Sequence, residues 1–378
     1  MENVVMEGPN FWRGRRVLLT GHTGFKGTWL LLWLQQLGAH VWGYALEPEQ
    51  EPNLFRQLTK ENTSGHSWHH QIGDLADLHS LKACVQQAQP EVVLHLAAQP
   101  LVRRSYSDPL GTWATNVQGS LNLLEALKPL QHPCAVVMVT TDKVYENQEW
   151  AYGYREPDRL GGHDPYSASK AAAEICIASW RMSFCGTAPH QTPHLRIATA
   201  RAGNVIGGGD WASDRIVPDA MRALARGETI AVRNPAATRP WQHVLEPLGG
   251  YLRLAEVLAT HPHPPCEAFN FGPYLESNRP VKELVGTMLS HWPGEWIDRS
   301  DPADPHEAGL LHLQIDKAHH RLGWQPRWDY ATTIARTVDW YRAVHNGARA
   351  VDCCLADLKT YQAALPLPVV SAHSAHHS

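Results

Sequence analysis

A glycine-spaced turn near the amino terminus constrains the fold of this chain more than any other feature. It stands between an apolar run at residues 15–20, which predicts a β-strand, and an apolar helical pattern at residues 28–38. The glycines are Gly21, Gly24 and Gly27. Glycine lets the backbone turn tightly, and the amino end of a helix offers unpaired N–H groups and a positive dipole. The turn therefore predicts a dinucleotide pyrophosphate site at the start of an α/β domain.

Strand and helix patterns then alternate through the first half of the chain. Further β-strands are predicted at residues 39–46, 71–75, 91–98, 134–140 and 195–205, and helices at 78–88 and 116–127. Apolar strands that alternate with helices form parallel sheets with right-handed crossovers. We therefore expect an α/β fold, a Rossmann-type doubly wound parallel sheet with a smaller mixed α/β lobe after it.

The pattern divides the chain into three parts. We expect residues 11–205 to form the dinucleotide-binding domain with the catalytic residues, and 206–345 to form mainly a substrate-binding lobe. Residues 346–378 are expected to form one helix and then a partly flexible tail, because the final stretch is short of periodic apolar residues.

Composition narrows the class of protein. Of 378 residues, 43% are hydrophobic and 19% charged, which is typical of a globular protein. A net charge of −4 argues against a nucleic-acid or membrane-surface partner. The amino terminus lacks the apolar core of a signal peptide, and seven cysteines and 23 histidines occur without metal-ligand spacing. We therefore expect a soluble, cytoplasmic enzyme without a metal site.

Two residues one helical turn apart are candidates for proton transfer. Tyr166 and Lys170 lie at i and i+4 in DPYSASKAAAE and so share one helix face. A lysine cation favours the phenolate and lowers the pKa of the tyrosine, which can then act as a general base toward an alcohol. The alternative is a coincidental spacing on a surface helix.

A polar pair follows the predicted strand at 134–140. Thr141 stands at the mouth of the sheet, where it can bond the substrate alcohol beside Tyr166, and Asp142 comes next. Such pairs are often only helix caps or turns.

Together these motifs resemble the extended short-chain dehydrogenase/reductase family. Within it the segments GHTGFKG, AAQPLVR, DKVYEN, RAGNVIGGGDW and RPWQHVLEPL are similar to the sugar-nucleotide 4,6-dehydratases, and in particular to a branch that acts on CDP-glucose. The resemblance covers nearly the whole chain. It implies oxidation at C4, loss of water across C5 and C6, and hydride return to C6, which gives CDP-4-keto-6-deoxyglucose.

The resemblance also implies the cofactor and its contacts. NAD is expected, with NADP as the alternative, because the second strand has Ala45 and then Glu47 where an acid usually binds the adenosine ribose. The implied contacts are Gly21, Thr23, Gly24, Phe25, Lys26, Gly27, Asp74, Leu75, Ala97, Ala98, Gln99, Tyr166 and Lys170.

Catalytic roles follow from the same resemblance. Asp142 matches the general acid that protonates the departing C6 hydroxyl. Lys143 stands where the family usually has the glutamate that removes the C5 proton. A neutral lysine could be that base, and a charged one could stabilise developing negative charge instead.

Substrate contacts are expected from several segments of the chain. The candidates are Arg104, Arg201, Asn204 and Arg239, since guanidinium groups bind phosphate bidentately; for each arginine the alternative is a surface ion pair. Trp211, Trp241 and His243 could shape the nucleotide pocket or belong to the core. His306 and Glu307 resemble a late segment of the substrate lobe.

Other functions share many of these features. A nucleotide-sugar 4-epimerase or 4-reductase uses the same glycine turn and Tyr/Lys pair but needs no acid at C6, so Asp142 favours dehydration. A non-catalytic dinucleotide sensor could dispense with Tyr166 and Lys170 altogether. The resemblance further implies a homodimer, formed through the helices that follow the fourth and fifth strands.

Overall fold

The computed structural model describes residues 10–61, 68–186, 191–301 and 309–367. In chain order the strands are β1 (Arg16–Thr20), β2 (His40–Ala45), β3 (Trp68–Ile72), β4 (Val92–His95), β5 (Cys134–Val139), β6 (Leu195–Ala202), β7 (Val205–Ile206), β8 (Ile230–Val232), β9 (Thr238–Pro240), β10 (Gln242–His243), β11 (Ala268–Phe271), β12 (Asn278–Pro280) and β13 (Trp296–Asp298).

Helices connect these strands and cover the sheet. They are α1 (Phe25–Gln36), α2 (Leu54–Glu61), α3 (Leu78–Ala88), α4 (Val102–Ser107), α5 (Pro109–Trp113), α6 (Gly119–Leu127), α7 (Pro165–Phe184), α8 (Ile216–Arg226), α9 (Leu245–Thr260), α10 (Val281–His291), α11 (Asp316–Leu322), α12 (Tyr330–His345) and α13 (Ala350–Ala363). A π-helical turn, Ala114–Gln118, joins α5 to α6, and 3₁₀ turns lie at Asp142–Val144 and Leu275–Ser277.

Seven strands form one sheet in the order β11-β6-β5-β4-β1-β2-β3. All neighbouring pairs in it are parallel. The strand order reverses between β1 and β4, and a crevice opens at such a point beyond the carboxyl ends of the strands. The predicted Rossmann-type doubly wound sheet is confirmed.

Two predicted strands differ from those observed. The strand expected at 71–75 lies three residues earlier, at Trp68–Ile72. Gly73 follows it close to Tyr44, and a Cβ there would lie 2.4 Å from the Tyr44 ring. The strand expected at 195–205 breaks after Ala202. At the break, Gly203 leaves room for Asp142, since a Cβ would lie 2.8 Å from its Oδ2.

The seventh strand was not predicted, and it lies beyond residue 205. β11 pairs with β6 in parallel, with Phe271 opposite Ala202, and α9 packs on β5 and β6. The sheet therefore crosses the predicted division at 205. The division of ligands between residues 11–205 and 206–345 stays a prediction.

The second lobe is small and mixed, as expected. It contains the parallel pairs β7–β10 and β8–β13 and the antiparallel pair β9–β12. These pairs follow the carboxyl end of β6 in the chain, so they stand on the side of the sheet where the crevice opens.

The core has one apolar layer on each face of the sheet. Val17 and Leu19 of β1 face one cluster and Leu18 faces the other, as expected of a strand buried on both sides. The very apolar α1 is buried nearly all round, and Trp29 donates its indole N–H to the Gly208 carbonyl at 2.9 Å. Among the described helices, none combines the length and apolarity that crossing a bilayer requires.

The predicted C-terminal helix is confirmed as α13, which packs against α2 and α12. Its Tyr361 donates a hydrogen bond at 2.9 Å to Glu246 of α9. Glu246 also accepts backbone hydrogen bonds from Arg327 and Trp328. The rest of the predicted tail, 368–378, lies outside the described residues, as do His306 and Glu307.

We predict that Tyr361→Phe lowers the free energy of unfolding at pH 8 by about 1.5–3 kcal/mol, the usual contribution of a hydrogen bond to a charged group. Burial raises the pKa of Glu246 to about 7 from 4.5, so the folded protein itself loses stability as the pH rises through this interval. Below it Glu246 is protonated, and the cost of the substitution should be smaller at pH 5. Urea unfolding at both pH values measures the difference. Tyr152→Phe, at an exposed site, is the control, and an equal effect of the two substitutions would contradict the prediction.

Candidate active site

A large cleft lies beyond the carboxyl ends of the central strands. Its volume is about 2060 Å³, whereas pockets for a single small ligand hold about 300–1,000 Å³. Residues of the glycine turn, of α7 and of the second lobe all line it. The cleft therefore has room for two sizeable ligands side by side.

The glycine turn forms one wall through close backbone contacts. Gly21 has a φ of +76°, and a Cβ there would lie 2.6 Å from the Ala97 nitrogen. A Cβ at Gly27 would lie 2.0 Å from the Gly21 carbonyl oxygen. Gly24 precedes α1 and has no side chain to cap it, and the first turn of α1 has no acidic residue. The N–H groups at this helix end are thus open to an anion.

The polar residues of the turn differ in their surroundings. The Thr23 hydroxyl donates to the Leu46 carbonyl at 2.8 Å, which ties the turn to the end of β2. Lys26 lines the cleft. Burial first, and the charge of Arg215 second, lower the pKa of Lys26 to about 8. The turn therefore adds a half-buried cation to the helix dipole.

The other predicted cofactor residues lie on the neighbouring strand ends. Asp74 and Leu75 follow β3, and Ala97, Ala98 and Gln99 follow β4. Asp74 accepts the Ala76 N–H at 2.9 Å, and the Leu75 carbonyl accepts from Asn122 at 2.8 Å. All thirteen predicted cofactor contacts line the same cleft.

Asn116 supports this wall and was missed in the sequence. Its side chain accepts the Gln99 N–H at 2.9 Å and donates to the Gln99 carbonyl at 3.1 Å. It also donates to Ser169 of α7 at 2.9 Å, and it lies on the π-helical turn, an irregularity frequent at functional sites. The available signal was an amide at a buried position of the apolar pattern at 116–127.

Tyr166 and Lys170 face the cleft from the start of α7. Pro165 occupies the first turn, and Asp164 caps the helix by accepting the Ser167 N–H at 2.9 Å. Burial raises the pKa of Tyr166 to about 12, and a hydrogen bond with Thr141 opposes it. Burial lowers the pKa of Lys170 to about 8. The expectation of a lowered tyrosine pKa is therefore wrong for the chain by itself, because burial outweighs the nearby charges.

Three consecutive polar residues follow β5 and also line the cleft. Thr141 donates to Asp142 Oδ1 at 3.0 Å, and Asp142 is only 1% exposed. Lys143 Nζ lies 3.6 Å from Asp142 Oδ1 and 3.4 Å from Asn204 Oδ1. Thr141 also caps the 3₁₀ turn by accepting the Lys143 N–H, and its contact with a substrate alcohol stays a prediction.

Several arginines add positive charge to the cleft. Arg215, which was not predicted, precedes α8, pairs with Asp210 at 2.9 Å and interacts electrostatically with Tyr166. Arg239 lies on β9 and donates to the Thr238 carbonyl at 2.9 Å. Arg104 pairs with exposed Glu49 at 2.7 Å. Arg215 stands just before the amphipathic helix α8 and outside every motif that was recognised, so it was not singled out.

With this geometry in place, comparison with known proteins gives the family. Residues 17–272 match the model of the NAD dependent epimerase/dehydratase family.

The chain belongs to this family.

Its relatives share both sequence and fold. The chain is 44% identical to the CDP-glucose 4,6-dehydratase of Salmonella typhimurium, over 95% of this chain and 99% of that protein. It is 31% identical to a dTDP-glucose 4,6-dehydratase of Streptomyces antibioticus, over 71% and 75% of the two chains. A dTDP-glucose 4,6-dehydratase of Streptomyces venezuelae, solved with NAD bound, has the same fold: TM-score 0.74, 23% identity, 89% of this chain and 99% of that one.

The structure does not bring Arg201, a predicted substrate contact, to the cleft. It is 4% exposed, and its guanidinium donates to Glu174 at 2.9 Å, to Tyr145 at 2.9 Å and to the Glu156 carbonyl at 3.0 Å. The predicted phosphate contact is therefore corrected to a structural role. A basic residue on a strand of a phosphate-binding fold can equally neutralise a buried acid.

The aromatic candidates of the second lobe divide between cleft and core. Trp211 and Trp241 line the cleft. His243 is fully buried between Trp29 and Trp328, and burial lowers its pKa to about 3. It belongs to the core. In the described ranges, no cluster of three histidine, cysteine or acidic side chains is placed to hold a metal ion.

We predict that Arg201→Met lowers the free energy of unfolding by about 3–5 kcal/mol, because it leaves the Glu174 charge buried and unpaired. Adding Glu174→Gln should restore part of this loss, since the double variant has no buried charge at the site. Urea unfolding measures both. Arg155→Met, which breaks an ion pair between an exposed guanidinium and Asp158, should lower stability far less, because solvent screens such pairs. If Arg201→Met were as stable as the wild type but had a raised KM for the nucleotide sugar, the result would contradict the structural role and support the predicted phosphate contact.

Proposed function

We propose that this protein is an NAD-dependent hydro-lyase that converts CDP-glucose to CDP-4-keto-6-deoxyglucose. The observation that carries the proposal is Asp142, a buried carboxyl that contacts Thr141 and Lys143 in the same cleft as Tyr166. An acid at this place serves a reaction that expels a hydroxyl group. The 44% identity with a CDP-glucose 4,6-dehydratase supports it over nearly the whole length.

The cleft fits NAD. The missing Cβ atoms at Gly21 and Gly27 and the open amino end of α1 suit a pyrophosphate. Beside the end of β2, Glu47 is exposed, and Arg56 of α2 is held by Glu47, Glu51 and the Pro48 carbonyl. Because these acids already engage Arg56, they disfavour the 2′-phosphate of NADP. Bound NAD supplies a hydride acceptor that is regenerated within the cycle, so it is needed only in catalytic amounts.

Tyr166 accepts the proton of the C4 hydroxyl in this proposal. Its pKa of about 12 in the chain alone must fall for a phenolate to form, and positive charge beside it lowers the pKa. Arg215 supplies such charge, and Lys170 lies on the same face of α7. Thr141, hydrogen-bonded to Tyr166, holds the hydroxyl of the substrate in line.

Asp142 and Lys143 then act on the C6 hydroxyl and the C5 proton as a pair. Dehydration needs a protonated aspartic acid and a neutral lysine. In water at neutral pH the two groups are instead a charged carboxylate and a charged ammonium. A proton that passes from Lys143 Nζ to Asp142, 3.6 Å away, produces both required states at once. In the charged state Lys143 can stabilise the C4 oxygen, so both roles considered for it fit one cycle.

The remaining polar groups of the cleft suit the sugar diphosphate. Asn204 contacts Lys143 and therefore lies beside the hexose site. Arg215 and Arg239 line the cleft from α8 and β9, and guanidinium groups match phosphate oxygens. Arg104 stands at an exposed rim position, where it can approach the hexose or its phosphate.

The rival functions have weaker support. A 4-epimerase or 4-reductase leaves the acidic role of Asp142 unused, and a UDP-glucose 4-epimerase of Thermotoga maritima shares the fold at only 20% identity, with a TM-score of 0.70 over 87% of this chain and 99% of that one. A dinucleotide sensor leaves Tyr166, Lys170 and Lys143 without a role.

All seven cysteines are free thiols, which suits the reducing cytoplasm that we propose as the location.

We expect the purified protein with NAD to remove one water from CDP-glucose, with little net NADH and less reaction with UDP-, dTDP- and GDP-hexoses. Mass spectrometry of the products measures it. Asp142→Asn should lower the dehydration rate by about 10²- to 10⁴-fold, the usual contribution of a general acid. Because the acid acts after C4 oxidation, single-turnover NADH formation should persist in this variant. Tyr166→Phe should abolish both signals.

Other products would assign other functions. An epimerised or reduced hexose would point to the sister enzymes, and NAD binding without turnover of any nucleotide sugar would point to a sensor. Asp142→Asn with unchanged dehydration would remove Asp142 from the mechanism.

The protein is further proposed to be a homodimer through α5 and α7, which pack against each other. Apolar side chains on these helices are exposed: Leu110 82%, Trp113 40%, Ile175 59% and Met182 76%. Ile175 and Met182 are seven residues apart and so share a helix face. Apolar patches of this kind usually mark contact surfaces, and the family resemblance had pointed to helices in these positions.

We predict that Ile175→Asp converts the dimer to a monomer, since a charge at the centre of an apolar interface is left without a partner. Sedimentation velocity of the wild type and the variant measures the change. Leu275→Asp, at a 62% exposed leucine of the second lobe, is the matched control and should stay dimeric. A monomeric wild type would reject the assignment.

A further inference from the structure

An ion pair in the second lobe lines the cleft and has no role in the chemistry described above. Arg233 follows β8, and its Nη1 lies 2.7 Å from Oδ1 of Asp214. The two side chains are 34% and 51% exposed, and both residues line the cleft. The pair is therefore accessible to a ligand.

Most of the hydrogen-bonding capacity of the pair is unused. A guanidinium has five N–H donors and a carboxylate about four acceptor sites. Across residues 10–61, 68–186, 191–301 and 309–367, Arg233 and Asp214 contact only each other through their side-chain polar atoms. The pair thus offers at least one acceptor oxygen and several donors to the cleft.

The backbone at Asp214 is also unusual. Its φ is +64°, a conformation that costs free energy in residues with a Cβ and that aspartate tolerates better than most. Its side chain does not cap α8, since no side-chain cap hydrogen bond exists there. The left-handed turn instead serves to hold the carboxylate beside Arg233.

The position of the pair relative to the reacting sugar follows from its neighbour. Arg215, next to Asp214, interacts electrostatically with Tyr166 and pairs with Asp210. If the hexose lies at Tyr166 and the diphosphate at Arg215, as the proposed function requires, the nucleoside continues past Arg215 into the second lobe. Arg233 and Asp214 lie there.

Resting on that proposed function, we propose that Arg233 and Asp214 recognise the base of the nucleotide sugar and select cytosine over uracil and thymine. The Asp214 carboxylate accepts from the cytosine N4 amino group, and the Arg233 guanidinium donates to N3 and O2. Aspartate with the cytosine amine, and arginine with two neighbouring acceptors, are the pairings that these groups form with bases in general.

The same pair rejects the other pyrimidines. Uracil and thymine have an acceptor, O4, in place of the amino group, and a donor, N3–H, in place of the N3 acceptor. The carboxylate would then face an oxygen, and the guanidinium would face an N–H. Two of the three contacts become repulsive, and such mismatches discriminate more strongly than a lost contact does.

Binding of CDP and UDP tests the proposal apart from catalysis, because the two ligands differ only in the base. Titration calorimetry on the wild-type dimer with NAD should show CDP binding about 10- to 100-fold more tightly than UDP. Arg233→Gln places both a donor and an acceptor opposite N3, and Asp214→Asn places an amide opposite N4 while tolerating the left-handed backbone. Each should bring the CDP/UDP ratio to within about threefold. The ratio of kcat/KM for CDP-glucose and UDP-glucose should fall in parallel.

Arg226→Gln is the matched control, since Arg226 is at the other end of α8, is 66% exposed and pairs with Glu228; it should leave both ratios unchanged. If both variants keep the wild-type ratio, the base assignment is overturned while the dehydratase stands. If Arg233→Gln weakens CDP and UDP equally, the residue binds phosphate and the assignment is likewise overturned. A wild type that prefers CDP but dehydrates nothing supports the base site and rejects the proposed function. A wild type that binds neither nucleotide rejects both.

Discussion

Helix α7, which carries Tyr166 and Lys170, is tied to the sheet by a buried ion pair between Glu174 and Arg201. Glu174 lies one turn beyond Lys170 on α7, and its carboxylate accepts from Thr140 at the end of β5 and from Thr199 and Arg201 of β6. Burial alone would raise the pKa of Glu174, but Arg201 and these donors outweigh it and lower the pKa. Through Tyr145, the network reaches Asn270 of β11. The orientation of α7, and with it that of Tyr166, thus depends on charges that never touch a ligand.

Local patterns predicted the parts of the fold that local forces determine. The glycine turn was predictable because Gly21 and Gly27 meet backbone within the same turn and the adjacent strand. The strand β11 was not, because it has four residues and is held by pairing with a strand some 70 positions earlier. Short strands of this kind gain their stability from the sheet that they join. Because β11 lies beyond residue 205 and still belongs to the sheet, a boundary at residue 205 cuts through the sheet instead of separating two domains.

The candidate site shows the same limit. Residue types and spacing predicted that Tyr166, Lys170, Thr141 and Asp142 lie in one cleft, as the structure shows. They did not predict the electrostatic surroundings of these residues. Sequence reasoning counted the lysine charge near Tyr166 and could not count the burial that raises its pKa to about 12. The prediction for Arg201 was wrong because sequence reasoning could not see its partner. Glu174 lies 27 positions away on a different element. Asn116 gave only the weak signal of an amide at a buried position of a helical pattern, and Arg215 stands outside every motif that was recognised.

The charge of the cleft ties these observations together. Lys26, Lys143, Lys170 and Arg215 all line it, and burial lowers the pKa values of Lys26 and Lys170 to about 8. A dinucleotide and a sugar diphosphate each bring a pyrophosphate, and a nearby anion favours the charged form of a lysine. Acidic side chains such as Asp142 and Asp210 line the same cleft, so part of this positive charge is balanced before a ligand binds. The two pyrophosphates add negative charge beside the lysines and favour their protonated forms further.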